Sequence, residues 1–271
     1  MVLDAQPTPA MANELIARVA KVTDKPIKYV LFTHHHAVRT LGASAYQGAE
    51  ILASDATRGL IAERGKQDIE SEVARFPRLF RAAEPIPGLT WPTITFPDQI
   101  SVWLGRREVR IMHVGRGHTA GDVITVVPDA GVVFAGDLAE YKTACYCGDA
   151  HFTDWLATLD HLAEMQPVAL LPGRGAALTT PEMAAEGLAL TGDFISTLYG
   201  SVSESVTKRR SLKEAFDFVR LALDPKFKTF TLYEHCLPFS VVRAYDEARG
   251  IEWPVVWTVE RDHEMWAALQ G

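Results

Sequence analysis

Cysteine is nearly missing from this chain: Cys145, Cys147 and Cys236 are the three among 271 residues. An odd, sparse set cannot build the disulfide framework of a small secreted fold, and it suits a reducing compartment. Long apolar runs are missing too. No stretch of about 18 or more apolar residues occurs, so no membrane-spanning helix is expected. The first residues lack a basic region followed by an apolar one, so the sequence as it stands carries no secretory signal pattern. Positive charge is in deficit, with 27 Lys and Arg against 34 Asp and Glu and a net charge of −7. Phosphate backbones and anionic surfaces need a basic face, so neither nucleic acid nor a membrane is an expected partner. Cytoplasmic residence is the resulting expectation.

What is present suffices for a full core. With 48% hydrophobic residues, the chain fits one domain, or a domain with an extension. Helical spacing runs from Pro9 to Val22, with Thr8 as cap. Lys28–Phe32 and Glu50–Ala53 read as strands, and Ser54 or Asp55 caps a helix to about Glu63. Ile69, Val73, Phe76, Leu79 and Phe80 suggest a further helix before a proline-punctuated loop. From Thr93 to Phe134 the pattern is β: Thr93–Phe96, Ile100–Leu104, Arg107–His113, Val123–Val127 and Val132–Phe134, broken by turn signals. Asp154–Met165 is an amphipathic helix and Val168–Leu171 a short buried strand. After Pro181 the composition is helical, with helices expected near 181–200, 211–222 and 237–249. Residues 181–271 therefore read as a helical extension packed on residues 1–180, shaping a pocket or offering a homodimer surface. Val2, Leu3 and Asp4 place a strand and its turn at the very start with nothing before them to pair, so the expectation is either a complete, compact chain or a missing upstream segment. No internal repeat or low-complexity stretch is visible.

The chemistry concentrates where strands end. His34, His35 and His36 follow the apolar run Lys28–Phe32, and alternation in extended backbone turns His34 and His36 the same way. Two like-facing imidazoles at a strand's carboxyl end are half of a transition-metal site. His118 lies in the glycine-rich loop Gly115-Arg-Gly-His-Thr-Ala-Gly-Asp122. Asp137 follows an apolar strand in Phe134-Ala-Gly-Asp-Leu138, and Pro172-Gly-Arg-Gly175 follows another.

This ordered series resembles the metallo-β-lactamase-fold hydrolase superfamily, with its Thr-His-x-His-x-Asp-His motif, Gly-His-Thr/Ser loop, Gly-Asp after a strand, and Pro-Gly-His-Gly. The matching segments are Thr33-His34-His35-His36-Ala37-Val38-Arg39, Gly117-His118-Thr119, Gly136-Asp137 and Pro172-Gly173-Arg174-Gly175. The resemblance covers residues 1 to about 178 and implies an α/β fold, the αββα four-layer sandwich, here with a C-terminal helical extension. In that family strands precede the segment matched by Val2-Leu3-Asp4, which supports a missing start and leaves localisation open to a lost leader.

The resemblance implies one metal on His34, His36 and His118, all present. A second metal would use the Asp-His pair, the bridging aspartate and the last histidine. Here those positions hold Val38, Arg39, Asp137 and Arg174, and neither valine nor guanidinium coordinates a cation. The expectation is therefore a mononuclear hydrolase with one zinc (iron or manganese as alternatives), in which Asp137 is a fourth ligand or a proton acceptor. Arg39 and Arg174 would stand in the lost second-metal region, replacing part of its charge and meeting a substrate carboxylate or oxyanion. Asp137 pairing with either arginine is the other arrangement. A small molecule, of anionic character if the arginines meet it, is the expected substrate: an ester, lactone, amide or thioester. The competing expectation is a catalytically degenerate protein that binds an anion without chemistry.

Other residues carry weaker signals. His35 should face away from its neighbours, and His113 has a structural reading. Cys145-x-Cys147 lacks the partner pair of a zinc knuckle. Tyr146 is a candidate oxyanion donor, and His235 a candidate cover for the site.

Overall fold

The computed structural model describes residues 1–270. They divide into two compact units: residues 1–98 with 256–259, and residues 99–255 with the chain from Glu260 onward.

The first unit is built on β1 (Val2–Leu3), β2 (Tyr29–Leu31), β3 (Glu50–Ser54) and β4 (Ile94–Phe96), hydrogen-bonded in that order. All three pairings are parallel, which requires crossovers. Helices α1 (Pro9–Val19), the short α2 (Ala37–Thr40) and α3 (Asp55–Arg75) lie in those connections. Thr8 caps α1 by accepting from Met11 N, and Ser54 caps α3 by accepting from Thr57 N. Val30, Phe32, Ile51, Ala53 and Ile61 form its core with Val2 and Ala12. The strand at residues 2–3 does find a partner, since Val2 and Leu3 pair with Val30 and Leu31. The two helices expected around residues 55–80 are one helix ending at Arg75, because the only breakers before Pro77 are Gly59 and Gly65, which a helix tolerates.

The second unit carries β5 (Gln99–Leu104), β6 (Arg107–Met112), β7 (Ile124–Val127), β8 (Val132–Glu140) and β9 (Ala169–Arg174) in that order. The first three pairings are antiparallel, and β9 is parallel to β8, the crossover being α4 (Phe152–Glu164). Helices α5 (Pro181–Thr207), α6 (Leu212–Phe227) and α7 (Tyr233–Ala248) follow, and α8 (Val259–Gln270) ends the described chain. One apolar core joins sheet and helices: Val133, Leu138 and Leu170 cluster with Trp155, Phe194, Leu198, Val219, Leu223, Leu237 and Val241. Among the described residues no helix is long and apolar enough to cross a membrane.

Two strands run further than their apolar cores suggest. β8 continues past Phe134 to Glu140 and β9 past Leu171 to Arg174. Their register shifts on either side of Gly136, whose φ of +55° lies where a side chain is disfavoured. Such bulges re-aim side chains beside functional sites. Asp137 and Arg174 therefore sit on neighbouring strands rather than in loops, and Arg174 is the register partner of Glu140.

Candidate metal centre

In the first unit the histidine segment is fixed from β1. Asp4 takes the left-handed backbone (φ +63°), which aspartate tolerates, and its amide donates to Leu31 O. Its carboxylate then receives two bonds from Thr33: the amide donates to Oδ1 at 2.8 Å and the hydroxyl to Oδ2 at 3.0 Å. Thr33 Oγ1 also lies 2.9 Å from His34 Nδ1. A hydroxyl has one proton, and this one points at Asp4, so the ring N–H is the donor in the contact with His34. The proton is thereby assigned to Nδ1 and the lone pair to Nε2, the tautomer a metal ligand needs.

His36 meets His34 edge-on, with ring centroids 4.8 Å apart. His35 does not turn away from its neighbour: its ring is 4.5 Å from that of His36, tilted by 54°. The reason is local. The extended geometry ends with β2, and His36 is already the residue preceding α2, so strict alternation no longer applies. All three rings are buried. Arg39, within α2, places Nε 3.6 Å from Asp4 Oδ2, so its charge faces the same carboxylate that anchors Thr33.

In the second unit His118 is held by the turn around it. Asp122 accepts from Thr119 N at 2.8 Å and Thr119 Oγ1 at 2.6 Å, while His151 N donates to Gly117 O. The buried imidazole meets the rings of Trp155 and Tyr146 edge-on, at 5.9 and 6.3 Å, and its Nε2 is 3.6 Å from Asp137 Oδ2. Arg174 Nη1 donates to that same oxygen at 2.6 Å and to Glu140 Oε1 at 2.7 Å. Burial works against the Arg174 charge, but Asp137 and Glu140 outweigh it and hold the guanidinium above its ordinary pKa.

Three functional candidates escaped sequence reasoning. Glu140 lay beyond the expected end of its strand, Asp4 read as a plain turn former, and Thr33 entered only as the first residue of the histidine motif, with no role of its own. Only the strand pairings reveal them. Of the remaining residues, His113 Nδ1 lies 2.8 Å from Asp122 O, a structural bond. His235 stands 6.1 Å from Phe239 on α7. Cys145, Cys147 and Cys236 are buried, and burial, ahead of neighbouring charges, pushes the Cys236 thiol up to about 12. Among the described residues no cluster of candidate metal ligands includes a cysteine.

A buried imidazole pair with its tautomer set, and a third imidazole facing a buried carboxylate, are donors suited to a borderline transition metal. Two sheets with helices around them make a mixed α/β fold that carries a group of candidate metal donors. A profile of the metallo-β-lactamase superfamily matches residues 1–174, and the chain belongs to that superfamily. Among curated proteins, a linear primary-alkylsulfatase from Pseudomonas sp. (strain ATCC 19151) is 21% identical over 270 residues, covering 86% of this chain and 50% of the relative. A type 2 metallo-β-lactamase from Bacillus sp. (strain 170) is 26% identical over 155 residues, covering 56% of this chain and 52% of the relative. The chain thus spans about half the length of these curated relatives. Among solved structures, a metallo-β-lactamase from Pontibacter korlensis superposes with a TM-score of 0.55 at 21% identity, covering 69% of this chain and 80% of that one. One from Hirschia baltica gives 0.53 at 20% identity, covering 70% and 79%. These likenesses establish the fold.

Proposed function

We propose that this chain is a metal-dependent hydrolase in which His34, His36 and His118 hold one divalent cation, zinc by preference. The observation that carries this reading is the pair of contacts on the Thr33 hydroxyl, which donates to Asp4 Oδ2 at 3.0 Å and stands 2.9 Å from His34 Nδ1: they favour the proton on Nδ1 and the lone pair on Nε2, the form a metal ligand needs. A cation held there supplies Lewis acidity, lowering the pKa of a water from about 16 towards about 7 and polarising the oxygen of an ester or amide.

The chain's own groups do the rest. Asp137, facing His118 at 3.6 Å, is the carboxylate placed to accept a proton, and Arg174 fixes its orientation through a 2.6 Å bond. Trp155 orients the His118 loop from below: it stands beside the imidazole, and its indole N–H donates to Leu138 O on β8. Tyr146, half-buried beside His118, is a hydroxyl that a substrate oxygen would meet. The substrate class is a small ester, lactone, amide or thioester. The alkylsulfatase relative, whose likeness runs over most of this chain, adds alkyl sulfate esters to that class.

The competing reading is a non-catalytic anion binder centred on Arg39 and Arg174. Both guanidiniums already face carboxylates, Arg39 at Asp4 and Arg174 at Asp137 and Glu140, which leaves little positive charge for an anion. The deciding experiment is metal content by plasma mass spectrometry, on protein purified without an affinity metal column, with His118→Ala alongside. About one equivalent in the parent and almost none in the variant supports the hydrolase. It would lead to a substrate panel of alkyl sulfates, aryl esters, lactones, thioesters and β-lactams. A parent that stays metal-free after dialysis against zinc overturns it.

A further inference from the structure

We propose that the guanidinium of Arg174 is a built-in substitute for a second metal ion, with Glu140 and Asp137 as the carboxylates it neutralises, so that the chain admits a single cation. The inference rests on the metal-dependent reading above and deepens it by naming what limits the site.

Two carboxylates converge on one nitrogen. Arg174 Nη1 is 2.6 Å from Asp137 Oδ2 and 2.7 Å from Glu140 Oε1, and its two hydrogens match the two acceptors. The Asp137 and Glu140 side chains are 0% and 1% exposed. Two ionised carboxylates cannot be held together out of water without a cation between them. The chain supplies that cation covalently, as a residue that never loses its charge.

The arrangement is built by the fold. Parallel pairing of β8 and β9 sets Arg174 against Glu140. Thr191, on α5, pins the Glu140 backbone from the other side: its hydroxyl lies 3.0 Å from Glu140 O and accepts from Glu140 N at 3.1 Å. Gly173 is required by close approach, because a Cβ there would stand 2.1 Å from Asp137 Oδ1. A dication entering between the two carboxylates would have to displace a guanidinium bonded to both, against like-charge repulsion. Glu140 thereby gains a role that the motif series did not give it.

The test compares the parent with Arg174→Ala, Arg174→Lys, and Arg174→Ala combined with Glu140→Gln. Zinc per chain is measured by plasma mass spectrometry after dialysis, and thermal midpoints are taken in zinc and in chelator. Arg174→Ala is expected to take up about one equivalent more than the parent and to become zinc-dependent for its stability. Arg174→Lys, which keeps a cation in place, stays at the parent value, and the double variant loses the extra equivalent. A parent at about one equivalent with Arg174→Ala unchanged overturns this inference and leaves the three-histidine reading standing. A metal-free parent whose Arg174→Ala variant gains an equivalent does the reverse. A gain in Arg174→Lys as well, or an Arg174→Ala variant that fails to fold even in zinc, overturns the substitution of one cation for the other.

Discussion

The hydroxyl of Thr33 donates to Asp4 Oδ2 at 3.0 Å and stands 2.9 Å from His34 Nδ1, and on the proposed reading this pair of contacts leaves Nε2 of His34 for the metal. Replacing Thr33 with Val removes the acceptor for His34 Nδ1, and with it the bond that favours this tautomer. Zinc affinity should fall by about 10- to 100-fold, the usual effect of losing a group that orients a ligand. Thr33→Ser, which keeps the hydroxyl, should stay close to the parent. Competition titration against a chromophoric chelator reads both; equal affinities for Val and Ser would show that the tautomer does not depend on Thr33.

Gly173→Ala places a methyl group where Asp137 Oδ1 now lies, 2.1 Å from the ideal Cβ. The carboxylate must move, and the bond to Arg174 moves with it. A stability loss of about 1–3 kcal/mol is expected from overpacking of this kind, measurable as a lower urea midpoint. An unchanged midpoint would mean that β9 shifts without cost.

Arg243 is fully buried and satisfied: Nε donates to Ala150 O, Nη1 to Ile251 O, and Nη2 to Glu247 Oε2 and Glu252 O. Arg243→Met keeps the bulk and strips the bonds, leaving Glu247 buried without its cation. A loss of about 3–5 kcal/mol follows from breaking a buried pair on one side. Denaturant unfolding with unchanged slope is the check, and a loss within about 0.5 kcal/mol would count against a structural role.

His151 introduces a pH dependence. Burial first, then the charges of Arg116 and Arg243, lower its imidazole from 6.5 to about 4. Between those values the unfolded chain binds the proton and the folded chain does not. The contribution is thus complete above about pH 6.5, is lost as pH falls towards 4, and amounts to at most about 3 kcal/mol. His151→Gln should flatten the urea midpoint over that window relative to the parent; parallel curves would reject the assignment.

The motifs were legible in the sequence because each lies next to a strand that announces itself. Thr33-His34-His35-His36 follows the apolar run of β2, and Gly117-His118-Thr119 follows the alternation of β6. Glu140 and Asp4 were not legible, because their roles come from register: Glu140 matters through pairing with Arg174, and Asp4 through Leu3 lying beside Leu31. Apolar periodicity stops at Phe134 and Leu171, whereas the backbone ladder continues through polar residues to Glu140 and Arg174. His35 shows the opposite limit. Alternation predicts it to face away, and it fails to do so because the chain has already left the strand.

The start of α4 is closed by a residue nearly a hundred positions away: Phe152 N and Thr153 N both donate to the Glu247 carboxylate on α7, where His151 offers no side-chain cap. The segment that supports the His118 loop is therefore finished only when the last helices have formed. The helices after Pro181 are thus not a detachable module: grafting a different tail onto this scaffold would have to bring Glu247 and Arg243 with it, or the loop in front of α4 would lose its floor.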